Sequence, residues 1–128
     1  MAKFENRSQA VDLFSGLFTI LLEDETFTAG IRSGNLSLLL IHTKPDFTLF
    51  VDPDGVRVDE EPYAPAIRIK MSCDTADSLW RGQLLMPVAL ATGKVRLRGS
   101  VSKVLEFVPL LHPAFDQYPE LAAHAGVH

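Results

Sequence analysis

The spacing of apolar residues changes from helical to alternating near Asn35. Before that point apolar residues recur at helical spacing from about Ser8 to Leu22, and a second, shorter helix is predicted over 27–33, ending at Gly34. From Leu36 onward apolar side chains recur at every second position, which is the period of a β-strand. The chain therefore combines helices and strands, and we predict an α+β fold.

The alternating segments are separated by residues typical of turns. The second alternating segment is joined to the third by Asp52-Pro53-Asp54-Gly55, a sequence typical of a tight turn. The first three strands are therefore predicted to form an antiparallel meander. The predicted strands are 35–40, 47–51, 56–59, 67–73 and 94–101.

Short helices are predicted around and after the last strand. Asp74 is the expected N-cap of a helix through Trp80, with Asp77 at the capping-box position, and Pro87 is expected to begin another. The tail is predicted to be helical but broken into short pieces by Pro109, Pro113 and Pro119. With 128 residues, residues 1–128 are expected to form one α+β domain with helices against one face of the sheet.

Composition excludes several classes of protein. Apolar residues make up 47% of the chain and charged residues 22%, which excludes intrinsic disorder, and the net charge of −4 gives no reason to expect a nucleic-acid partner. The mean hydropathy of +0.13 is high, yet the densest apolar stretches, 36–41 and 84–91, are too short to span a bilayer. The amino terminus has no apolar signal-peptide core and Cys73 is the single cysteine, so we expect a cytoplasmic location.

The sequence contains no recognisable catalytic, cofactor or metal-binding motif. His124 and His128 are four residues apart, the spacing of two residues on one face of a helix. Gly126 lies between them and disfavours a helix there, so no metal site is expected. We expect no catalytic residue and no cofactor. A weaker alternative is a small hydrolase or acyltransferase that uses Ser100 or Cys73 with His112.

Basic residues alternate with apolar ones on the fourth and fifth predicted strands. If those strands are neighbours, their cations form a stripe on the outer face of the sheet. The stripe is either an ordinary solvated face or a docking surface for anionic headgroups, acyl-CoA phosphates or an acidic partner, and spacing alone leaves these alternatives open. The candidate headgroup-binding residues are Arg68, Lys70, Lys94, Arg96 and Arg98.

Large apolar residues concentrate on helices, above all on the short and interrupted ones in the C-terminal half. Such helices pack a continuous core poorly and open easily, which suits a lid over an apolar pocket, whereas a well-packed core is the alternative. The helical residues concerned are Phe14, Phe18, Leu79, Trp80, Leu85, Val88, Leu105, Val108, Leu111 and Phe115.

Several short motifs follow one another in a fixed order. They are Gly34-Asn35-Leu36-Ser37-Leu38, Asp52-Pro53-Asp54-Gly55, Leu79-Trp80-Arg81-Gly82, Ala89-x-x-x-Gly93-Lys94-Val95-x-Leu97-x-Gly99 and Leu110-Leu111-x-Pro113. In order and spacing they resemble the sterol-carrier-protein type-two family. The resemblance implies a mostly antiparallel five-stranded sheet with helices on one side and an apolar tunnel for acyl chains or sterols. Its lining would come from Trp80, Leu85, Val88, Leu97, Leu105, Val108 and Leu111.

The resemblance implies a lipid-binding or lipid-transfer protein that performs no covalent chemistry. The expected ligand is a fatty acyl chain, an acyl-CoA or a sterol-like molecule. Transient contact with a membrane surface and a homodimer are left open. The alternative is an accessory or scaffold subunit of a lipid, steroid or quinone enzyme, which would use the same apolar helical face for protein contact.

Overall fold

In the computed structural model, which describes residues 4–127, the chain forms six α-helices and five β-strands. The helices are α1 (Arg7–Glu23), α2 (Glu25–Ser33), α3 (Cys73–Trp80), α4 (Met86–Ala91), α5 (Val101–Phe107) and α6 (His112–His124), with a 3₁₀ turn at Val108–Leu111 between the last two. The strands are β1 (Leu38–Thr43), β2 (Phe47–Asp52), β3 (Gly55–Val58), β4 (Ile67–Ser72) and β5 (Val95–Arg98). No helix within 4–127 has the length and hydropathy needed to cross a membrane.

The strands form one sheet in the order β3-β2-β1-β4-β5. β1 pairs with β4 in parallel, and every other neighbouring pair is antiparallel. The predicted meander of β1, β2 and β3 and the predicted α+β class are therefore confirmed. Since β1 lies at the centre, it is buried on both faces: Leu38 and Leu40 face inward and Leu39 faces outward, each at most 5% exposed.

The inner face of the sheet packs against the helices. Phe14, Leu17 and Leu21 of α1 are fully buried there, because the helical period places them on one side of the helix. Asn6 is the N-cap of α1, since the backbone N–H of Gln9 donates to Oδ1 of Asn6 at 2.9 Å.

The loop between β3 and β4 covers part of the outer face. The ring of Tyr63 packs edge-on against Phe50, with ring centres 4.9 Å apart, and its hydroxyl donates to Oδ2 of Asp52 at 2.6 Å. This loop explains why Phe50 is buried although it faces away from the helices.

The beginning of α3 differs from the prediction. Ser72, rather than Asp74, is the N-cap: it has an extended backbone, and its Oγ accepts the N–H of Thr75 at 3.1 Å. Cys73 therefore begins the helix instead of ending the strand. Asp77 does not close a capping box, because its buried carboxylate is bound by Arg81 and Tyr118.

The predicted strand over 94–101 ends early, at Arg98. Gly99 has φ +129°, and a Cβ there would lie 3.0 Å from the carbonyl oxygen of Ala66, so the chain turns at this glycine. Ser100 then caps α5 by accepting the N–H of Lys103 at 3.3 Å. Val101 is consequently the first residue of a helix and is exposed.

The C-terminal region is less broken than the prolines predict. Pro109 lies at the start of the 3₁₀ segment and Pro113 lies at the start of α6. At the start of a helix the backbone N–H has no partner within the helix, so its absence in proline costs no hydrogen bond. Pro119 lies inside α6, and the helix nevertheless continues to His124. Tertiary contacts along α6, such as that of buried Tyr118, thus outweigh the local penalty of the proline.

Candidate functional site

An apolar cavity of about 580 Å³ lies between the inner face of the sheet and the helices of the C-terminal half. Its volume is in the range of sites that enclose small organic ligands. Among its lining residues only Trp80 and His112 have side-chain nitrogen or oxygen atoms. The lining residues are Phe18, Leu38, Leu40, Ile69, Met71, Leu79, Trp80, Gly82, Leu84, Leu85, Met86, Pro87, Phe107, Val108, Leu111, His112 and Phe115.

The central strands provide the floor of the cavity. Leu38 and Leu40 of β1 lie beside Ile69 and Met71 of β4, and all four face inward because side chains alternate along a strand. None of these side chains can hydrogen-bond through oxygen or nitrogen. The floor therefore offers a ligand contact by dispersion and release of water alone.

Trp80 forms the side wall at the end of α3. Its ring packs edge-on against Phe18, with ring centres 5.6 Å apart. It also packs at a tilt against Phe115, with ring centres 5.5 Å apart. Leu79 beside it also lines the cavity. Three elements, α1, α3 and α6, are thus held around one aromatic cluster.

The cavity meets solvent where its lining residues are exposed, at Gly82, Leu85, Pro87 and His112. Gly82, with φ +76°, turns the chain away from the end of α3, and this glycine is exposed to solvent. Leu85 lines the cavity and is also 65% exposed, and His112, at the beginning of α6, is exposed as well. We call this region the cavity mouth.

A buried polar cluster joins α3 to α6 behind the aromatic wall. Nε of Arg81 donates to both carboxylate oxygens of Asp77 at 2.9 and 3.0 Å, and the hydroxyl of Tyr118 donates to Oδ1 at 2.7 Å. Arg81 also donates to the carbonyl of Val127 at 3.2 Å, which ties down the end of the chain. Burial, and then the hydrogen bond to Asp77, raise the pKa of Tyr118 far above its usual range. We call this the α3–α6 polar cluster.

The structure gathers part of the predicted ligand-binding set around the cavity. Seven of those residues line it, namely Phe18, Leu79, Trp80, Leu85, Val108, Leu111 and Phe115. Phe14 lies in the core instead, stacked 5.0 Å from the ring of His42. Val88 and Leu105 do not line the cavity and are exposed on α4 and α5, and Leu97 is half-buried on β5 next to Ile69.

The predicted strand neighbours β4 and β5 do pair, which brings the basic residues together. Arg68 lies opposite Arg98, and Lys70 lies opposite Arg96, with Lys94 just before β5. Arg68 is bound by Glu61, whose two carboxylate oxygens accept at 2.9 and 3.3 Å. The other four residues are exposed.

The residues of the hydrolase alternative are not arranged as a nucleophile and a base. Cys73 is buried and its Sγ donates to the carbonyl of Pro45 at 3.5 Å, and burial raises its pKa to about 12. Ser100 is occupied as the cap of α5. Within 4–127 neither side chain hydrogen-bonds to His112.

Metal-binding side chains do not cluster in the part of the chain that the structure describes. Within that part, no three His, Cys, Asp or Glu residues lie close enough to hold an ion. His128, one member of the histidine pair in the sequence, lies outside the described residues.

The arrangement of strands and helices around the cavity is shared with known structures. Sterol carrier protein 2 from Yarrowia lipolytica superposes with a TM-score of 0.65 at 15% identity, covering 90% of this chain and 99% of the other. The fold is that of sterol carrier protein 2. The resemblance seen in the sequence is thereby confirmed at the level of the sterol carrier fold. No protein-family model matches the sequence, and a search of curated proteins finds no match.

Two further structures show the sterol carrier fold in other settings. The sec-alkylsulfatase Pisa1 from Pseudomonas sp. has a TM-score of 0.59 at 26% identity, and the match covers 77% of this chain but 16% of the sulfatase. The UbiJ-SCP2 ubiquinone synthesis protein has a TM-score of 0.58 at 17% identity, covering 87% of this chain and 95% of that one. The fold thus occurs both as a short chain and as a small part of a large enzyme.

Proposed function

We propose that this chain binds one molecule of an elongated apolar lipid, such as a fatty acyl chain or a sterol-like compound, in the cavity. The observation that carries the proposal is the cavity itself: about 580 Å³ enclosed by side chains of which only two bear nitrogen or oxygen. A space of this kind gives water no partners, whereas it suits an alkyl chain.

Desolvation supplies the affinity in this proposal. Each buried CH₂ group contributes roughly 0.8 kcal/mol, so a chain of about twelve carbons gains about 10 kcal/mol before the cost of ordering it. Trp80 and His112 are the lining side chains that can orient a polar end group. His112 is exposed at the mouth, so we propose that the polar end of the ligand lies there and the apolar part lies over Ile69 and Met71.

The test is extraction of lipid from the purified protein. We expect an organic extract of the denatured protein to contain one lipid molecule per chain by mass spectrometry. Leu84→Trp places a larger ring at a half-buried lining position and is expected to lower the recovered lipid several-fold. Leu22→Trp, at a half-buried position on α1 outside the lining, is the matched control and should retain it.

The same extract separates this proposal from the scaffold alternative. A scaffold subunit uses the outer surface of the helices and needs no occupant in its interior. Protein that consistently yields no lipid and takes up no apolar dye contradicts the binding proposal. The buried single Cys73 fits a reducing compartment, and we propose the cytoplasm as the place of action.

A further inference from the structure

The outer face of the sheet, which points away from the cavity, is cationic on β4 and β5. The pairing register places Arg68 opposite Arg98 and Lys70 opposite Arg96, and residues directly opposite on antiparallel strands lie on the same face. The residues that alternate with these cations on β4 line the cavity, so the four cations point away from it. We call Arg68, Lys70, Arg96 and Arg98 the outer basic face.

The chain itself supplies one carboxylate to this face. Glu61 lies in the loop between β3 and β4, and its two carboxylate oxygens accept from the two terminal nitrogens of Arg68 at 2.9 and 3.3 Å. Paired hydrogen bonds of this kind are the geometry in which a guanidinium recognises a carboxylate. The outer basic face therefore binds a carboxylate in the conformation that the structure shows.

The other three cations have no such partner. Lys70, Arg96 and Arg98 are exposed, and within 4–127 none of them takes part in an ion pair. Lys70 and Arg96 are directly opposite on neighbouring strands, where like charges destabilise a sheet. Folding does not account for this arrangement, whereas carboxylates laid across the face would relieve the repulsion.

The spacing of the cations fits an extended acidic segment. Residues two apart along a strand are separated by roughly 7 Å, and Arg96 and Arg98 are placed in this way on β5. Every second side chain of another extended segment has the same separation and points to one side of that segment. Acidic residues at alternate positions would therefore meet successive cations.

Other anionic or symmetric occupants fit the face less well. A membrane requires apolar side chains that enter its acyl region, but the outward side chains of β4 and β5 are the four cations and Ser72. Nucleic acid carries charge along its whole length, whereas this face is a small cationic area on a chain of net charge −4. A second copy related by two-fold symmetry would place the same cations against each other.

We propose that the outer basic face binds an extended acidic segment of a partner protein, with carboxylates at alternate positions on the cations of β4 and β5. The face and the cavity lie on opposite sides of the sheet. This binding does not rest on the proposed function, and a lipid in the cavity leaves the face free.

Fluorescence anisotropy with a labelled synthetic peptide of repeated Glu-Ser pairs tests the proposal. We expect one site per chain in low salt and release of the peptide as the salt concentration rises, and the same peptide with Gln for Glu should not bind. Arg96→Gln combined with Arg98→Gln should weaken binding about tenfold. The matched control, Arg32→Gln with Lys103→Gln, removes the same charge from exposed positions on α2 and α5 and should leave binding within about twofold.

Removal of the internal carboxylate gives an opposite prediction. Glu61→Gln releases Arg68 for the peptide and should tighten binding about threefold. Glu60→Gln removes the same charge from the neighbouring exposed residue, which lies outside the pair with Arg68, and should leave binding nearly unchanged. Equal effects of the two substitutions would contradict the proposal.

Several other results would overturn it. Equal losses in the two double variants would show that net charge explains the binding, and no binding in low salt would leave the face an ordinary solvated surface. Tighter binding of oligothymidine or of phosphatidylglycerol vesicles, lost in the variant that lacks Arg96 and Arg98, would assign the face to that class of anion. Self-association lost in the same variant would assign it to a second copy.

Thermal unfolding and lipid extraction separate this binding from folding and from the cavity. The variant that lacks Arg96 and Arg98 should be at least as stable as the parent protein without peptide, because like charges no longer face each other. A clear loss of stability would give the cations a role in folding and contradict the proposal. The variant should still yield one lipid per chain, so failure of peptide binding and failure of lipid binding are distinguishable.

Discussion

His42 is an ionisable side chain buried among aromatic rings on the inner face of β1. It is 3% exposed and stacks on Phe47 and on Phe14, with ring centres 4.4 and 5.0 Å away, and its Nδ1 has no partner within the described residues. Burial disfavours the charged imidazolium and lowers the pKa of His42 from 6.5 to about 4. The residue contributes packing to the core and is costly to protonate there.

Stability is therefore expected to fall as the pH drops from about 6.5 to about 4. In this window the unfolded chain binds a proton at His42 while the folded chain does not, so the free energy of unfolding decreases with each step down in pH. The full loss amounts to about 3 kcal/mol, which urea unfolding at several pH values measures.

His42→Phe is the control for this pH dependence. The phenyl ring retains the stacking on Phe14 and Phe47 but has no titrating group. The difference in unfolding free energy between the two proteins should grow from pH 7 to pH 4. Parallel profiles would show that other groups cause the acid sensitivity.

Among the elements, α3 and α6 are joined by the α3–α6 polar cluster as well as by apolar contacts. Tyr118→Phe removes the hydroxyl that donates to the fully buried carboxylate of Asp77, and we expect a loss of about 1–3 kcal/mol in unfolding free energy. Tyr63→Phe removes a hydroxyl with a similarly short bond to Asp52, which is also buried, but Tyr63 itself is 51% exposed, so water can take the place of its hydroxyl and the expected cost is about 0.5 kcal/mol. Equal effects of the two substitutions would contradict the role assigned to burial.

Local sequence patterns predicted most elements of this fold but not all of their ends. The alternation around Leu38–Leu40 and the helical spacing of apolar residues over 8–22 were sufficient to predict β1 and α1. The start of α3 was placed wrongly because Ser72 and Asp74 are both good caps, and the strand geometry that favours Ser72 is set by pairing with β1. Pro119 was predicted to break the C-terminal helix. The burial of Tyr118, which holds α6 in place, cannot be predicted from the local sequence.

The cavity was predicted less completely than the fold. Helical apolar residues such as Trp80 and Phe115 were identified because large apolar side chains on short, interrupted helices suit a lid over an apolar pocket. The floor residues Leu40, Ile69 and Met71 were missed, since alternation shows that they face inward but not whether a helix or a void lies above them. That distinction depends on how the helices pack, and no local pattern encodes it.

In the molecule as a whole, the high mean hydropathy has two structural sources besides the core. Part of the apolar surface lines the cavity, and part is exposed on or directly before α4 and on α5, at Leu85, Val88, Val101 and Leu105. A close-packed domain would leave neither, because unfilled space forfeits contact energy and exposed patches favour association. The apolar lining is accounted for if the cavity holds a lipid.

The most direct test of lipid binding is the dissociation constant for a series of straight-chain fatty acids of increasing length. We predict one site per chain and a Kd that falls about fourfold with each added CH₂ group until the cavity is filled, then levels off. Leu84→Trp should level off at a shorter chain than Leu22→Trp. A Kd that does not change with chain length, or the absence of binding at every length, would contradict the account.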